Sequence, residues 1–205
     1  QLIQRLVTSN PSPAYVARVA RAFDNNGLGV RGDLKAVLRA ILLDEEARSV
    51  PTAASAGKLR EPIHRFIQWA RTFHVSSPTD AWNIGDTSDP ATRLGQSPLR
   101  STSVFNFFRP GYVPPNSQIA TAGLVAPEFQ LVNESTVSGY LNYMQRAIAR
   151  GVGEVAANYL AEDALADDAI ALVNRYNLWL AAGQIGAANL SAIQTAVGSI
   201  NGKTA

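Results

Sequence analysis

The stretch GDLKAVLRAILLDEEARS, residues 32–49, decides the fold class of this 205-residue chain. Asp33 stands where a helix N-cap belongs, directly before an apolar pattern. The apolar residues that follow recur every three or four positions: Leu34, Val37, Leu38, Ile41 and Leu42. That spacing places them on one face of an α-helix. The stretch therefore predicts an amphipathic helix that packs its apolar face against a neighbour.

The same periodicity extends outward on both sides. Upstream, Ser12 and Pro13 predict the N-cap and first position of a helix over PAYVARVARAF. Downstream, REPIHRFIQWARTF (60–73) predicts a third helix, with Pro62 in its first turn. Its inward face is expected to consist of Ile63, Phe66, Ile67 and Ala70.

Further helices are predicted toward the C-terminus. Residues 126–151 predict one helix or a broken pair, and two more follow over Asp167–Ala182, closed by Gly183, and Asn189–Ile200. No segment shows the alternation of a β-strand. We expect an all-α protein, an irregular bundle of about six to eight helices.

The helical pattern fails between about residues 75 and 126, a Pro-rich and aromatic segment that is too long for an ordinary connection. The predicted organisation is a helical core region over 1–150 that includes this excursion. A C-terminal helical hairpin over 151–205 is expected to pack on the same domain.

The excursion contains LGQSPLRSTSVFNFFRPGYVPP, residues 94–115. Phe105 and Phe108 are three residues apart, which fits one helical turn after Ser101 or Ser103, and we expect both rings to anchor the segment in a core. The candidate binding residues are Arg100, Phe107, Arg109 and Tyr112. The stretch has no His, Cys, Asp or Glu, so it cannot supply a general base.

Charge and composition narrow the function classes. The net charge is +2, with 16 Lys/Arg against 11 Asp/Glu in residues 1–150 and 2 against 5 in residues 151–205. The arginines are scattered, whereas nucleic-acid binders concentrate Lys and Arg in a stripe. We expect no nucleic-acid partner and no transmembrane segment. The chain contains no cysteine, which excludes disulfides and thiolate chemistry.

Four residues are weak catalytic candidates. Glu128 and Glu134 are six residues apart, and a helix break near Pro127 could bring them into one groove as acid and base. Glu61 and His64 have the i, i+3 spacing of a di-iron ligand pair, but the second copy that such a site needs is absent. DNNGLGVRGDLK (24–35) places Lys35 where a calcium loop needs its bidentate glutamate. We expect no metal and no cofactor.

Two short sequence patterns resemble functional motifs but lack other features that those motifs require. SAGK (55–58) matches Ser-x-x-Lys, an acyl-transfer pattern, without its companion motifs. The tail GSINGKT fails as a phosphate loop because its glycines are too close and no strand precedes it.

Five segments in order resemble the DUF1800 family of bacterial proteins: QLIQRLVTSNPSPAYVARVARAF, GVRGDLKAVLRAILLDEEAR, GKLREPIHRF, LGQSPLRSTSVFNFFRPGYVPP and GLVAPEFQLVNESTVSGYLNYM. The resemblance implies a C-terminal portion of a longer protein, with a helical N-terminal half as its partner. It also implies a periplasmic or extracellular setting, and it carries no assigned activity.

These observations favour an uncharacterised exported helical protein that acts as a structural or interaction module for an extracellular polymer or a partner protein. The alternative is an extracellular hydrolase that acts on a polymer, with Glu128 and Glu134 as acid and base. A third possibility is a segment that functions only when packed on the N-terminal half.

Overall fold

The computed structural model describes residues 1–50 and 55–200, and over these ranges the protein is helical, which confirms the all-α prediction. The helices are α1 (Leu2–Leu6), α2 (Pro13–Asp24), α3 (Leu34–Leu42), α4 (Glu45–Arg48), α5 (Pro62–Thr72), α6 (Gln118–Thr121), α7 (Val137–Arg150), α8 (Leu160–Asp163), α9 (Ala169–Ala181) and α10 (Ala187–Gly198). A 3₁₀ turn over Pro127–Gln130 precedes α7, so the broken-pair prediction for residues 126–151 is correct. The number exceeds the predicted six to eight because α4, α6 and α8 are four-residue helices.

The chain folds as two compact units whose boundaries differ from the predicted one at residue 150. Unit 1 comprises Gln1–Glu61 and Pro98–Val137. Unit 2 comprises Pro62–Ser97 and the chain from Ser138 onward. The predicted boundary falls at the end of α7, inside unit 2. Periodicity could not reveal this, because each unit is assembled from segments distant in sequence.

Unit 1 is built around the pair α2 and α3. Ser12 Oγ accepts a hydrogen bond from the Tyr15 N–H at 3.1 Å, so the predicted cap of α2 is present. Asp33 caps α3 by accepting from the backbone of Lys35 and Ala36. The Tyr15 ring is fully buried between the helices, and its hydroxyl donates to the Ile41 carbonyl at 2.5 Å.

The apolar stripe of α3 is only partly used in the core of unit 1. Val37 and Ile41 are buried there with Ile3 and Tyr15. Leu34, Leu38 and Leu42 are exposed. Spacing alone predicted five inward residues, but the contact with α2 covers only one edge of that face.

Unit 2 contains the larger core. Its buried residues come from α5, from α7 and from two positions outside the helices, Phe73 and Leu94: Phe66, Trp69, Phe73, Leu94, Tyr143, Met144 and Ala147. The prediction for α5 is right for Phe66 and wrong for Ile67, which is exposed while Trp69 is buried. The Trp69 indole N–H donates to the Tyr159 hydroxyl at 2.9 Å, and that partner explains the inward position of this large ring.

The C-terminal part of unit 2 contains two consecutive helices, α9 and α10. Helix α9 begins after Asp168, whose carboxylate accepts from the Ala171 N–H at 2.9 Å. It ends where Ala182 and Gly183 take left-handed backbone angles, as the glycine predicted. Helix α10 then packs back on α9. Among the described residues, no helix is long and apolar enough to cross a bilayer.

Gly139 marks the closest approach between α7 and a loop of unit 2. A Cβ atom at this position would lie 2.4 Å from the Ala91 carbonyl oxygen and 2.8 Å from that of Pro90. Both neighbours are backbone atoms and cannot rotate away. The absence of a side chain at position 139 is therefore a packing requirement.

Gly139→Ala is expected to lower the free energy of unfolding by about 1–3 kcal/mol, although alanine is the better helix former by roughly 1 kcal/mol. Gly198→Ala is the matched control, because this other helical glycine has its nearest neighbour, Ala169 Cβ, at 3.9 Å. Urea unfolding followed by circular dichroism measures both variants. Equal stability of the two would contradict the packing argument.

Candidate functional site

A cavity of about 550 Å³ in unit 1 brings together residues from three separate segments. Arg5 comes from α1, Glu128 from the 3₁₀ turn, and Phe105 and Phe108 from the stretch 94–115. Gln1, Gln4, Val104, Asn106, Pro110 and Pro127 complete its lining. Three of the residues singled out in the sequence therefore share one cavity: Phe105, Phe108 and Glu128.

Hydrogen bonds between distant segments fix the frame of this cavity. The Asn10 side chain donates to the Val125 carbonyl and accepts from the Val125 N–H, both at 2.9 Å. Thr8 exchanges hydrogen bonds with the Gly57 backbone at 3.1 Å. The end of α1 thus holds both the segment that carries Lys58 and the segment that leads into Glu128.

Two ion pairs, called the floor below, join the lining residues Glu128 and Arg5 to Lys58 and Glu61, which are not part of the lining. Lys58 Nζ lies 2.9 Å from Glu128 Oε1, and it also donates to the Arg5 carbonyl at 2.9 Å. Arg5 Nη1 lies 3.2 Å from Glu61 Oε1. Two cations and two carboxylates balance, so the floor is electrically neutral overall.

Glu128 is only 1 % exposed, and its second oxygen, Oε2, has no hydrogen-bond partner within the described chain. A buried carboxylate is costly unless it is paired, so Glu128 depends on Lys58. The sequence pattern SAGK did not predict this structural role, in which its lysine neutralises a buried carboxylate.

The Arg5 guanidinium lies over the Phe108 ring, 4.3 Å from the ring centroid. This geometry is a cation–π contact, and it gives the cavity a flat, partly exposed cationic surface. Phe108 is 4 % exposed, which is consistent with the anchoring role predicted for it.

The prediction that Phe105 is a second anchor is wrong. Phe105 is 61 % exposed at the rim of the cavity, beside Val104, which is 96 % exposed. The reason is the backbone of Asn106, which takes the left-handed conformation with φ +69°. That residue breaks the helical turn on which the three-residue spacing was based, so the two rings do not share a face.

The other binding candidates lie in the same stretch but do not line the cavity. Arg100 and Arg109 are exposed, and the Arg109 N–H donates to Gln130 Oε1 at 3.0 Å. Phe107 and Tyr112 are half-buried. The Tyr112 carbonyl accepts from the Ala126 N–H at 2.9 Å, which fixes the stretch to the segment before Glu128.

The catalytic candidates are not gathered at one place. Glu134 is exposed and is absent from the cavity lining that contains Glu128. Glu61 is buried beside Arg5 in unit 1, and His64 is an exposed residue of α5 in unit 2. In the described ranges no group of three or more His, Cys, Asp or Glu is placed to hold a metal. The GKT part of the phosphate-loop pattern lies outside those ranges.

Sequence reasoning missed Arg5 and Lys58. Arg5 lies in a short apolar helix, LIQRL, whose start gave no cap signal. Lys58 lies in an irregular segment where no periodicity indicates burial. Only the rarity of lysine offered a signal, since the chain has two before residue 200.

Lys58→Met is expected to lower the free energy of unfolding by about 3–5 kcal/mol, because it leaves the Glu128 carboxylate buried without its cation. Arg31→Met is the control, since Arg31 and Asp24 form an exposed pair at 3.5 Å whose loss costs at most about 1 kcal/mol. Urea unfolding measures both variants. The double variant K58M/E128Q should recover part of the loss, and wild-type stability of K58M would contradict the assignment.

One family model, described as "Protein of unknown function (DUF1800)", matches residues 1–205. No curated protein and no solved structure matches the chain. The match covers the unit 1 cavity and every segment that frames it.

Proposed function

Because that match spans the whole chain, the protein belongs to the DUF1800 family, and we propose that it is an interaction module whose unit 1 cavity receives an apolar segment of a partner protein. The observation that carries the proposal is the exposed apolar rim beside a neutral floor. Phe105 and Val104 extend into solvent at the mouth of a cavity that lies over Arg5 and Phe108.

The chemistry of the rim supports a protein partner over a glycan. Leu99, Val104 and Phe105, all in one short stretch, are exposed. Branched aliphatic side chains offer no flat face to a sugar ring, whereas contiguous exposed apolar residues mark protein interfaces. Aromatic residues and arginine are also enriched at such interfaces.

The charge pattern of the floor supports an uncharged contact. Both cations are already paired with carboxylates, so an anionic ligand would compete with Glu61 for Arg5. A neutral apolar side chain entering the cavity disturbs neither pair and covers the exposed Phe105 ring. Burial of one such side chain contributes roughly 1.5–3 kcal/mol.

We expect Phe105→Ala to weaken binding of a peptide selected against the full chain by at least about tenfold, because interface aromatics commonly contribute 2 kcal/mol or more. Its stability should change by less than about 1 kcal/mol, since the ring is exposed. Phe108→Ala should instead lower the free energy of unfolding by about 3–5 kcal/mol. Calorimetric titration and urea unfolding measure the two effects.

Leu28→Ser, in the α2–α3 turn of unit 1, is the matched control, because Leu28 is also exposed and lies outside the cavity. It should leave peptide affinity unchanged. Equal affinity of wild type and Phe105→Ala would remove the proposal. Saturable binding of neutral oligosaccharides that is lost in Phe105→Ala would replace the protein partner with a polymer.

The hydrolase alternative lacks a second carboxylate in the cavity that Glu128 lines. Glu128 is neutralised by Lys58, and Glu134 does not line the same cavity. An acid/base pair needs both groups on one substrate. It stays a prediction without a supporting observation.

We further propose that the exposed stripe of α3 packs on the helical N-terminal half that the family resemblance implies. Leu34, Leu38 and Leu42 are four residues apart on one helix and are all exposed. The test is Leu38→Glu, made in this chain and in the longer gene product. A loss of stability confined to the longer protein supports the contact, and equal effects in both contradict it.

The family resemblance also leads us to propose a periplasmic or extracellular location. Cell fractionation with an antibody against this chain tests it. Recovery of the native protein in the cytoplasmic fraction would overturn it.

A further inference from the structure

A second cavity, of about 740 Å³, lies in unit 2 and is lined by three arginines, Arg93, Arg146 and Arg150. Helix α7 contributes Tyr143, Arg146 and Arg150, whose spacing of three and four residues places them on one side of the helix. Arg93 reaches the cavity from the loop before Leu94, opposite Gly85, where an added Cβ would lie 3.6 Å from its Nη1. Two separate segments thus direct cationic side chains to one space.

None of these three arginines is paired with a carboxylate within the described ranges. Arg93 donates to the Asp86 carbonyl, and Arg146 donates to the Thr92 carbonyl at 3.1 Å. Both bonds orient the guanidinium groups through backbone carbonyls and not through carboxylates. The contrast with unit 1 is direct, because there each floor cation has a carboxylate partner.

The single acidic residue of the lining is occupied elsewhere. Glu154 accepts hydrogen bonds from Ser77 Oγ at 2.6 Å and from the Asn83 N–H at 3.1 Å, with Thr79 on its second oxygen. Those bonds, the Ser77 one foremost, hold the pKa of Glu154 below its usual range. The carboxylate therefore stays ionised, and the lining carries a net charge of about +2.

Hydrogen bonds from Thr92 and Ala91 lower the pKa of the nearby Asp89, and the charge of Arg93 lowers it further, so Asp89 offsets part of that charge. Its carboxylate accepts from the Ala91 N–H at 2.9 Å and from the Thr92 hydroxyl. It is not part of the cavity lining. The lining itself stays positive, and Arg146 and Arg150 supply most of the charge that is left for a ligand.

The Tyr143 hydroxyl is the second, independent feature that points to a ligand. Tyr143 is 5 % exposed and lines the cavity, yet its hydroxyl has no hydrogen-bond partner among the described residues. Burial raises the pKa of Tyr143, so the phenol keeps its proton and can donate it to an anion. Buried hydroxyls are normally satisfied, and this one belongs to a residue that lines the cavity.

We propose that this cavity binds a multiply charged oxyanion of the phosphate type, held by Arg93, Arg146 and Arg150 and by a hydrogen bond from the Tyr143 hydroxyl. Guanidinium groups bind such oxyanions with paired, charge-assisted hydrogen bonds. A lining with three arginines and one glutamate favours a dianion over a single carboxylate. The cavity is larger than a phosphate ion, so the anion can be part of a larger molecule.

A structural explanation exists for part of this arrangement. Arg150 lies in the last turn of α7, where a cation stabilises the helix dipole without any ligand. That explanation does not cover Arg93, which lies in a loop, or the unpartnered hydroxyl of Tyr143. The helix-dipole explanation predicts that the cavity binds no anion, so an anion titration separates it from the proposal.

The test is calorimetric titration of the full chain with inorganic phosphate, sulfate and acetate at low chloride. We expect saturable binding of phosphate and sulfate with Kd of about 1 mM or tighter, and at least about tenfold weaker binding of acetate. Equal affinities for phosphate and sulfate would show that the cavity recognises only the charge of the anion. Phosphate preferred over sulfate by about tenfold or more shows selection for a protonatable oxyanion.

Three variants make the result specific. Arg146→Gln should weaken phosphate binding by about tenfold or more, and Tyr143→Phe by about tenfold, because each removes a hydrogen bond to a charged group. Tyr143→Phe should leave the unfolding midpoint unchanged or higher, since its hydroxyl has no partner to lose. Arg71→Gln, an exposed arginine of α5 outside the cavity, should change the affinity less than about twofold.

No saturable binding of phosphate or sulfate would overturn the proposal. Binding that persists unchanged in both Arg146→Gln and Tyr143→Phe would overturn it as well. Because the titrated cavity belongs to unit 2 and the peptide test concerns unit 1, either proposal can fail without the other.

Discussion

The pairing of Glu128 with Lys58 is the interaction on which unit 1 depends. The two residues are separated by 70 positions in sequence, yet Lys58 Nζ lies 2.9 Å from the buried carboxylate. A carboxylate this far from water is stable only next to its cation, so the two segments that carry them must meet. The side chains of Asn10 and Thr8 donate hydrogen bonds that fix the positions of these two segments.

The cavity of unit 2 differs from that of unit 1 in its charge. Its core is an aromatic cluster in which Phe66 contacts Trp69 and Tyr143, with ring centroids 5.4 and 6.0 Å apart. The charged groups of α7 lie outside this cluster, and its arginines have no carboxylate partners in the described chain. The cations beside the unit 1 cavity are paired with carboxylates, while no arginine of the unit 2 cavity forms an ion pair within the described ranges, although Arg175 elsewhere in unit 2 pairs with Glu162 at 3.0 Å. That difference is the physical basis for assigning an uncharged ligand to one cavity and an anion to the other.

The sequence predicts the parts of this protein that obey local rules. The caps Ser12 and Asp33 and the end of α9 at Gly183 follow from short-range chemistry, and all three are correct. Phe105 was placed wrongly because one left-handed residue, Asn106, changes the direction of the chain, and no spacing rule reveals a single backbone angle. The pairing of Lys58 with Glu128 was not predicted because it joins two irregular segments. The sequence therefore indicated only part of the unit 1 cavity, namely its aromatic residues and its carboxylate.

The missing side chain at Gly139 also has a consequence for motion. Helix α7 contacts the backbone at residues 90 and 91 so closely that neither can move past the other without separating first. Arg93 follows directly in that loop, and Arg146 lies two turns further along the same helix. Local opening of the loop therefore requires a larger cooperative opening of this part of unit 2. Amide hydrogens in the first half of α7 should exchange with solvent slowly, and the two sources of arginine should stay in register on the timescale of ligand exchange.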